Sequence, residues 1–206
     1  MYDIENYYNA KSVEEAAALL KEHPDTRIIS GGSDVLIKIR EGKMAGTSLV
    51  CIRDIKEIQG VSKKDNGDIY IGAGTTFSHI TNDPIIQECI PVLGEAVDQV
   101  GGPQIRNIGT IGGNICNGAV SADSAPTVFS LNALLRIEDG NGGRTVPVKE
   151  FYLGPGRVDL KRGEILTHVI IPAEEYQGYR GHYIKYSMRK AMDIATLSCS
   201  VVSRVD

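Results

Sequence analysis

The chain has 206 residues, of which 42% are hydrophobic and 23% charged, and its formal net charge is −4 at pH 7. These ordinary globular values exclude intrinsic disorder and allow a buried core without metal or disulfide support. The acidic balance excludes sequence-independent nucleic-acid binding, which needs a basic face. A membrane span is excluded because no stretch of roughly 18 apolar residues occurs.

The cysteines and the first residues indicate the compartment. Cys51, Cys89, Cys116 and Cys199 are widely spaced, and none lies in a CxxC or CxH pattern. This spacing disfavours a zinc or iron–sulfur site within the chain. The first residues also lack the basic start and apolar run of a secretory signal. We therefore expect a cytoplasmic protein with reduced thiols and no metal.

Residues 1–60 predict a small α/β unit. Ser12 and Glu15 form a capping-box pattern, which predicts a helix that ends before Pro24. The elements that follow are a strand over 27–29, the Gly31-Gly32 turn, a helix from Val35, a strand over 48–52 and a helical turn over 54–57.

Residues 61–175 predict a larger unit that mixes helices and strands. Asn66-Gly67 is typical of a hairpin turn. The predicted strands are 68–73, 134–139, 144–148 and 165–171. Residues 76–82 and 84–99 are predicted to be mainly helical, punctuated by Pro84, Pro91 and Gly94, and a helix is predicted over about 123–132. Six glycines within 101–118 predict that this stretch is not a stable helix, because glycine costs about 1 kcal/mol per residue there.

Residues 176–206 predict extended structure at 183–186 and at 195–205, where small and β-branched residues are frequent. The chain stops inside the second of these runs, at Asp206. This abrupt stop predicts that the chain is a fragment or lacks its continuation.

The first candidate site is the glycine turn within Ile28–Val35. A strand that runs into Gly31-Gly32 and then a helix start exposes backbone N–H groups with no Cβ in the way, which is typical of an anion site. Hydrogen bonds to a charged oxygen contribute roughly 1.5–3 kcal/mol each, so several of them would hold a pyrophosphate. The alternative is an ordinary strand–helix turn in which Ser33 or Asp34 caps the helix.

The second candidate site is the glycine-rich stretch 109–118. It lacks the Lys-Ser/Thr pair of a P-loop, and the chain contains no Gly-x-Gly-x-x-Gly fingerprint. Thr110, Asn114 and Asp123 supply hydrogen-bonding groups beside bare backbone, and Asp123 is suited to accept from a ribose or ribityl hydroxyl. The alternative is an ordered loop with Asx turns.

Together the two turns favour a ligand with two phosphates and a sugar. Nucleotide hydrolysis is disfavoured because the chain lacks a P-loop lysine and an acidic metal cluster, so a bound dinucleotide cofactor is favoured. The four histidines lie apart and favour structural roles. Lys185 and Arg189 either belong to a solvated charged edge or stabilise an electron-rich, anionic ring.

Three motifs of the chain point to a known family. They are Ser-Gly-Gly-Ser-Asp-Val-Leu-Ile, Gly-Pro-Gln-Ile-Arg-Asn-Ile-Gly-Thr-Ile-Gly-Gly-Asn-Ile-Cys-Asn-Gly and Ser-Ala-Asp-Ser-Ala-Pro. They resemble the FAD-binding subunit of molybdenum hydroxylases, and most closely the flavin subunit of bacterial xanthine dehydrogenases. The resemblance implies an α+β, two-lobed FAD-binding fold of the PCMH/vanillyl-alcohol-oxidase type. The implied divisions are a small α/β lobe over 1–60, a larger α+β lobe over 61–175, and the start of a truncated C-terminal flavoprotein domain over 176–206.

The resemblance also implies roles for individual residues. The backbone around the pyrophosphate would be that of Ile29, Ser30, Gly31, Gly32, Ser33 and Asp34, with Arg27 as a basic residue near FAD. Phosphate, ribityl or ribose contacts would come from Thr110, Gly113, Asn114 and Asp123, with Cys116 lining the same channel. Val100 and Leu166 would lie near the adenine. Lys185 would act catalytically at the carbonyl edge of the isoalloxazine, and Met192 stands where some relatives have an acidic residue.

The implied function is electron relay. A partner subunit with molybdopterin oxidises the substrate, a two-iron iron–sulfur partner delivers electrons, and FAD passes them to NAD or another acceptor. The alternatives are the same subunit in a nicotinate or carbon monoxide dehydrogenase, and a non-redox scaffold that has lost FAD. The intact Gly31-Gly32 and Gly112-Gly113-Asn114 sequences argue against the scaffold.

Overall fold

The structure is a computed structural model that describes residues 2–204. The strands are β1 (Ile4–Asn9), β2 (Thr26–Ile29), β3 (Thr47–Cys51), β4 (Val61–Lys63), β5 (Ile69–Gly72), β6 (Leu134–Glu138), β7 (Gly143–Pro147), β8 (Tyr152–Gly154), β9 (Arg157–Val158), β10 (Ile165–Ile171), β11 (Arg180–Tyr186) and β12 (Leu197–Ser203). The α-helices are α1 (Val13–Glu22), α2 (Val35–Arg40), α3 (Phe77–Asn82), α4 (Pro84–Cys89), α5 (Pro91–Asp98), α6 (Pro103–Ile108), α7 (Ile111–Asn117), α8 (Ala125–Ser130) and α9 (Val148–Phe151), with 3₁₀ turns at Lys56–Ile58 and Ala173–Glu175.

The N-terminal part is a three-stranded parallel sheet in the order β1-β3-β2. Helix α1 packs against Val50, and α2 packs through Ile39 against Leu49, which points to the opposite face of the same strand. The predicted cap is present, since the Ser12 hydroxyl accepts from the Glu15 N–H at 3.1 Å. Both predicted helices and both predicted strands of this part are confirmed, whereas β1 was not predicted.

The middle of the chain forms a five-stranded antiparallel sheet in the order β4-β5-β10-β6-β7. The central strand β10 spans Ile165–Ile171, as predicted, and is buried at six of its seven positions. Helices α3, α5, α7 and α8 contribute to the main hydrophobic core beside this sheet. The Asn66-Gly67 turn joins β4 to β5, so the predicted hairpin is confirmed.

The prediction that 101–118 contains no stable helix is wrong. Helices α6 and α7 occupy most of this stretch, and Gly112 and Gly113 lie inside α7. Helix α7 is short, Thr110 caps it, and two fully buried isoleucines, Ile111 and Ile115, anchor it to the core. Burial of such side chains contributes about 1.5–3 kcal/mol each, which offsets the cost of the two glycines.

The last elements form a hairpin in which β11 and β12 pair antiparallel over seven residue pairs. The hairpin packs against α5 and α8, and the hydroxyl of Thr127 in α8 donates to Ser200 at 3.1 Å. Its inward residues include Tyr183 and Lys185. The predicted extended character of this region is therefore confirmed over the residues described, while Val205 and Asp206 lie outside them.

Candidate functional site

A cleft of about 710 Å³ runs between the parallel sheet and the larger sheet. Twelve of the fifteen residues that the resemblance implicates in cofactor binding line it. They are Arg27, Ser30, Gly31, Gly32, Ser33, Asp34, Val100, Thr110, Gly113, Asn114, Cys116 and Leu166. The other three, Ile29, Asp123 and Lys185, do not line it. The fold therefore brings together residues from three distant parts of the chain.

The loop from Ser30 to Asp34, which we call the amide loop, follows the end of β2 and precedes α2. Gly32 has a φ of 73°, a conformation that favours glycine. Within the part of the chain that the structure describes, no hydrogen bond uses the backbone N–H groups from Gly31 to Asp34. Four consecutive unpaired donors at a cleft are suited to a ligand with negatively charged oxygens.

Asp34 does not cap α2 in the way the alternative interpretation required. It occupies the N-cap position, but its side chain makes no capping hydrogen bond. Its carboxylate instead pairs with the Lys38 ammonium at 2.6 Å, one helical turn further on. The donors of the amide loop are thus left to the cleft, which favours the anion-site interpretation over the ordinary turn.

The two glycine turns touch each other. A Cβ on Gly31 would lie 1.9 Å from the carbonyl oxygen of Ile108, so only glycine allows this approach. The Thr110 hydroxyl also lies 3.4 Å from the Ser30 hydroxyl. The amide loop and the start of α7 are therefore two walls of one cleft, although they are about eighty residues apart in the sequence.

The start of α7 contributes bare surface rather than free donors. The N–H groups of Ile111 and Gly112 bond the carbonyls of Thr75 and Ala73, and the Gly113 N–H bonds the Thr110 hydroxyl. Among the described atoms, only the Thr110 hydroxyl oxygen would lie within 4 Å of a Cβ on Gly113, at 3.0 Å. Since Gly113 lines the cleft, its missing side chain leaves room for a ligand.

A third wall is the segment 160–166, held by Arg144 on β7. The Arg144 guanidinium donates to both carboxylate oxygens of Glu164 at 2.8 Å and to Asp159 Oδ2 at 2.6 Å. These contacts hold the pKa of Glu164 below its usual value, so the pair is ionised at neutral pH. Sequence reasoning missed this network because its members are distant in sequence and share no motif.

Lys38 is a second residue that was missed. It lines the cleft from α2, and its ammonium donates to the Asn117 side chain on α7 at 3.1 Å. It thus links the first part of the chain to the second. Its helical spacing from Asp34 was visible in the sequence, but only the fold shows that it faces the cleft.

A smaller pocket of about 250 Å³ adjoins the cleft, since Val100 and Asn114 line both. Asp123 and Met192 also line it. Lys185 lines neither cavity, because its ammonium donates to Asp123 Oδ2 at 2.9 Å and to the Gln99 carbonyl at 3.0 Å. The catalytic role of Lys185 stays a prediction, but in this arrangement its ammonium forms an ion pair with Asp123.

Four further features of the described residues bear on what the chain can do. Burial raises the pKa of the Cys116 thiol to about 12, so this residue is a neutral thiol in the cleft wall. Ile29 belongs to the hydrophobic core beside Leu49. Among the described residues, no group of three or more His, Cys, Asp or Glu side chains is arranged to hold a metal ion, and no helix is long and apolar enough to cross a membrane.

Comparison with known proteins decides the family. The family model described as the FAD binding domain in molybdopterin dehydrogenase matches residues 2–174. The chain belongs to this family of FAD-binding domains. It is 38% identical over 206 residues to the xanthine dehydrogenase FAD-binding subunit of Escherichia coli O157:H7, covering all of this chain and 70% of that protein. It is 34% identical over 211 residues to the nicotinate dehydrogenase FAD-subunit of Eubacterium barkeri, with the same coverage.

A solved structure confirms the fold. The carbon monoxide dehydrogenase of Hydrogenophaga pseudoflava superposes with a TM-score of 0.94 at 33% identity, covering all of this chain and 71% of that one. The predicted FAD-binding fold, the FAD cofactor and the oxidoreductase class are thereby confirmed. The chain is the FAD-binding component of a molybdenum hydroxylase. The boundaries of the lobes and the roles of individual residues stay predictions.

Proposed function

We propose that this chain carries electrons from a two-iron subunit to NAD or another acceptor within a xanthine dehydrogenase-like complex. The observation that supports it most directly is the amide loop, whose four unpaired N–H groups from Gly31 to Asp34 line a cleft of about 710 Å³. Diphosphate oxygens are acceptors of the kind that such donors bind, and hydrogen bonds to charged groups contribute about 1.5–3 kcal/mol each. The residues present therefore fit FAD.

We assign the diphosphate to the amide loop and to the bare surface of Gly113. The Lys38 ammonium, which pairs with Asp34, lies at the same wall, and Val100 and Leu166 give the cleft apolar surface for rings. Lobes over 1–60 and 61–175 of one FAD-binding domain would then hold the cofactor between them, and residues 176–206 would belong to the start of a C-terminal flavoprotein domain. The role of the protein in this scheme is binding, orientation and electrostatics.

Bound FAD supplies the exchange between one-electron and two-electron transfer. The partners are a molybdopterin-binding subunit, which oxidises the substrate, and a two-iron subunit; the acceptor is NAD or another oxidant. The names of the relatives support such an assembly, and the 38% identity to the xanthine dehydrogenase subunit exceeds the 34% to the nicotinate enzyme. The unpaired thiols of the described residues support a cytoplasmic location.

The test is FAD retention in a Gly113→Val variant. We expect this variant, once loaded with FAD, to lose the cofactor on gel filtration, because the added side chain occupies space that the diphosphate needs. Gly142→Val is the matched control, since a side chain at Gly142 meets nothing within 4 Å and lies outside the cleft. Urea unfolding of both variants establishes that they fold. Full flavin content in folded Gly113→Val would refute the assignment.

A further inference from the structure

Tyr183 belongs to a buried polar group behind the smaller pocket, and the function described above does not use it. Its hydroxyl donates to Asp123 Oδ1 at 2.7 Å, while the Lys185 ammonium donates to Asp123 Oδ2 at 2.9 Å. Tyr183 is 2% exposed and Asp123 6%. Each carboxylate oxygen therefore has its own donor from β11.

The arrangement determines how Asp123 meets a ligand. A buried carboxylate is stable only when it is paired and hydrogen-bonded. Asp123 lines the pocket, whereas Tyr183 and Lys185 line neither cavity. Each oxygen keeps a second lone pair, so a carboxylate that is held in this way presents acceptors to the pocket.

We propose that Tyr183 is a positioning residue for FAD, which acts only by orienting Asp123. With both donors in place, the carboxylate accepts from ligand hydroxyl or ring N–H groups and repels ligand acceptors. Loss of the Tyr183 hydroxyl leaves one oxygen without its partner, and the carboxylate then turns about its remaining contact with Lys185. The inference rests on FAD binding at this site as proposed above.

The chain provides a matched control. Tyr176 is also buried, at 6% exposure, and its hydroxyl donates at 2.7 Å to the backbone carbonyl of Gly67, outside both cavities. Tyr183→Phe and Tyr176→Phe each remove one hydroxyl and no ring atoms. Both variants therefore lose one buried hydrogen bond, and a purely structural role predicts the same consequence for each.

The experiment is a double-mutant cycle on FAD affinity, measured by titrating the apoprotein of the full chain with FAD and following the quenching of flavin fluorescence. We expect Tyr183→Phe to weaken FAD binding about fivefold and Tyr176→Phe to change it less than about twofold. In an Asp123→Ala background, Tyr183→Phe should not change FAD affinity further, because the carboxylate through which Tyr183 acts is absent.

Two results would overturn the inference. One is a Tyr183→Phe protein that binds FAD as tightly as the parent. The other is a double variant in which the separate effects of Tyr183→Phe and Asp123→Ala on the FAD dissociation constant multiply. If Tyr183→Phe does not fold, a protein with 3-fluorotyrosine at position 183 replaces it. A change in FAD affinity caused by 3-fluorotyrosine that is equally large in the Asp123→Ala background rejects the inference. Failure of the parent chain to bind any FAD would reject the proposed function itself, together with this inference.

Discussion

Gly112 and Gly113 are neighbours on α7, yet their missing side chains serve different purposes. A Cβ on Gly112 would lie 2.5 Å from the Ala73 Cβ and 2.7 Å from its carbonyl oxygen, so this glycine lets the helix pack against the end of β5. Both glycines line the cleft, but a Cβ on Gly113 would meet only the Thr110 hydroxyl among the described atoms, so this glycine leaves room for a ligand. A shared residue type therefore reflects packing at one position and binding at the next.

We expect Gly112→Ala to destabilise the fold by about 1–3 kcal/mol, because overpacking forces the backbone apart. Urea unfolding measures the loss. Gly142→Ala is the control, since its added methyl group meets nothing within 4 Å. An unfolding free energy equal to that of the parent would show that α7 tolerates a side chain against Ala73.

At the scale of elements, β10 joins the two halves of the larger sheet, between β5 and β6. His168 lies in this strand, pairs with Gly72 and Arg136, and makes an edge contact with the Tyr70 ring at 5.9 Å between centroids. Burial lowers its pKa below the usual value, with Lys64 and Arg136 acting in the same direction and Glu138 opposing them. The folded state therefore favours the neutral imidazole.

This shift predicts a pH-dependent stability. Between the lowered pKa of the folded state and the ordinary value near 6.5, the unfolded chain binds the proton more readily, so stability falls as the pH falls. We expect the free energy of unfolding to drop more between about pH 7.5 and about pH 5.5 in the parent than in His168→Gln. Urea unfolding at both pH values tests this, and parallel losses in the two proteins would contradict it.

At the scale of the whole molecule, the cleft exists because the parallel sheet and the larger sheet meet along it. Gly31 contacts Ile108 across this boundary, and Lys38 bonds Asn117. The Lys38 side chain is 43% exposed, and exposed ion pairs contribute only about 0–1 kcal/mol to stability. Its charge therefore matters more to an anionic ligand than to the fold.

We expect Lys38→Met to change the free energy of unfolding by less than about 1 kcal/mol, to weaken FAD binding and to reduce the dependence of that binding on salt. Titrations with FAD at low and high salt measure both effects. Lys43→Met is the control, because Lys43 pairs with Glu41 and lies outside the cleft. Equal salt dependence in the parent and in Lys38→Met would exclude a role for this charge.

Much of the fold was predictable from local pattern. The capping box at Ser12, the turn at Asn66-Gly67 and the apolar run at Ile165–Ile171 each specify an element through contacts within a few residues. The short helix α7 was not predictable, because the packing of Ile111 and Ile115 outweighs the low helix propensity of glycine. Strand β1 was missed for a related reason, since its identity depends on pairing with β3.

The candidate site shows the same distinction between features that local sequence specifies and features that depend on tertiary packing. The sequence by itself indicated the amide loop and the glycine-rich stretch 109–118 as binding elements, because glycine leaves backbone bare whatever secondary structure it adopts. The tertiary structure decided which side chains serve the cleft. It placed Lys38 in the wall and turned Lys185 to a buried pairing with Asp123. Side-chain roles of this kind depend on partners that lie 62 or more residues away, as in the Lys185–Asp123 pair and the Lys38–Asn117 contact, and only the packed chain brings them together.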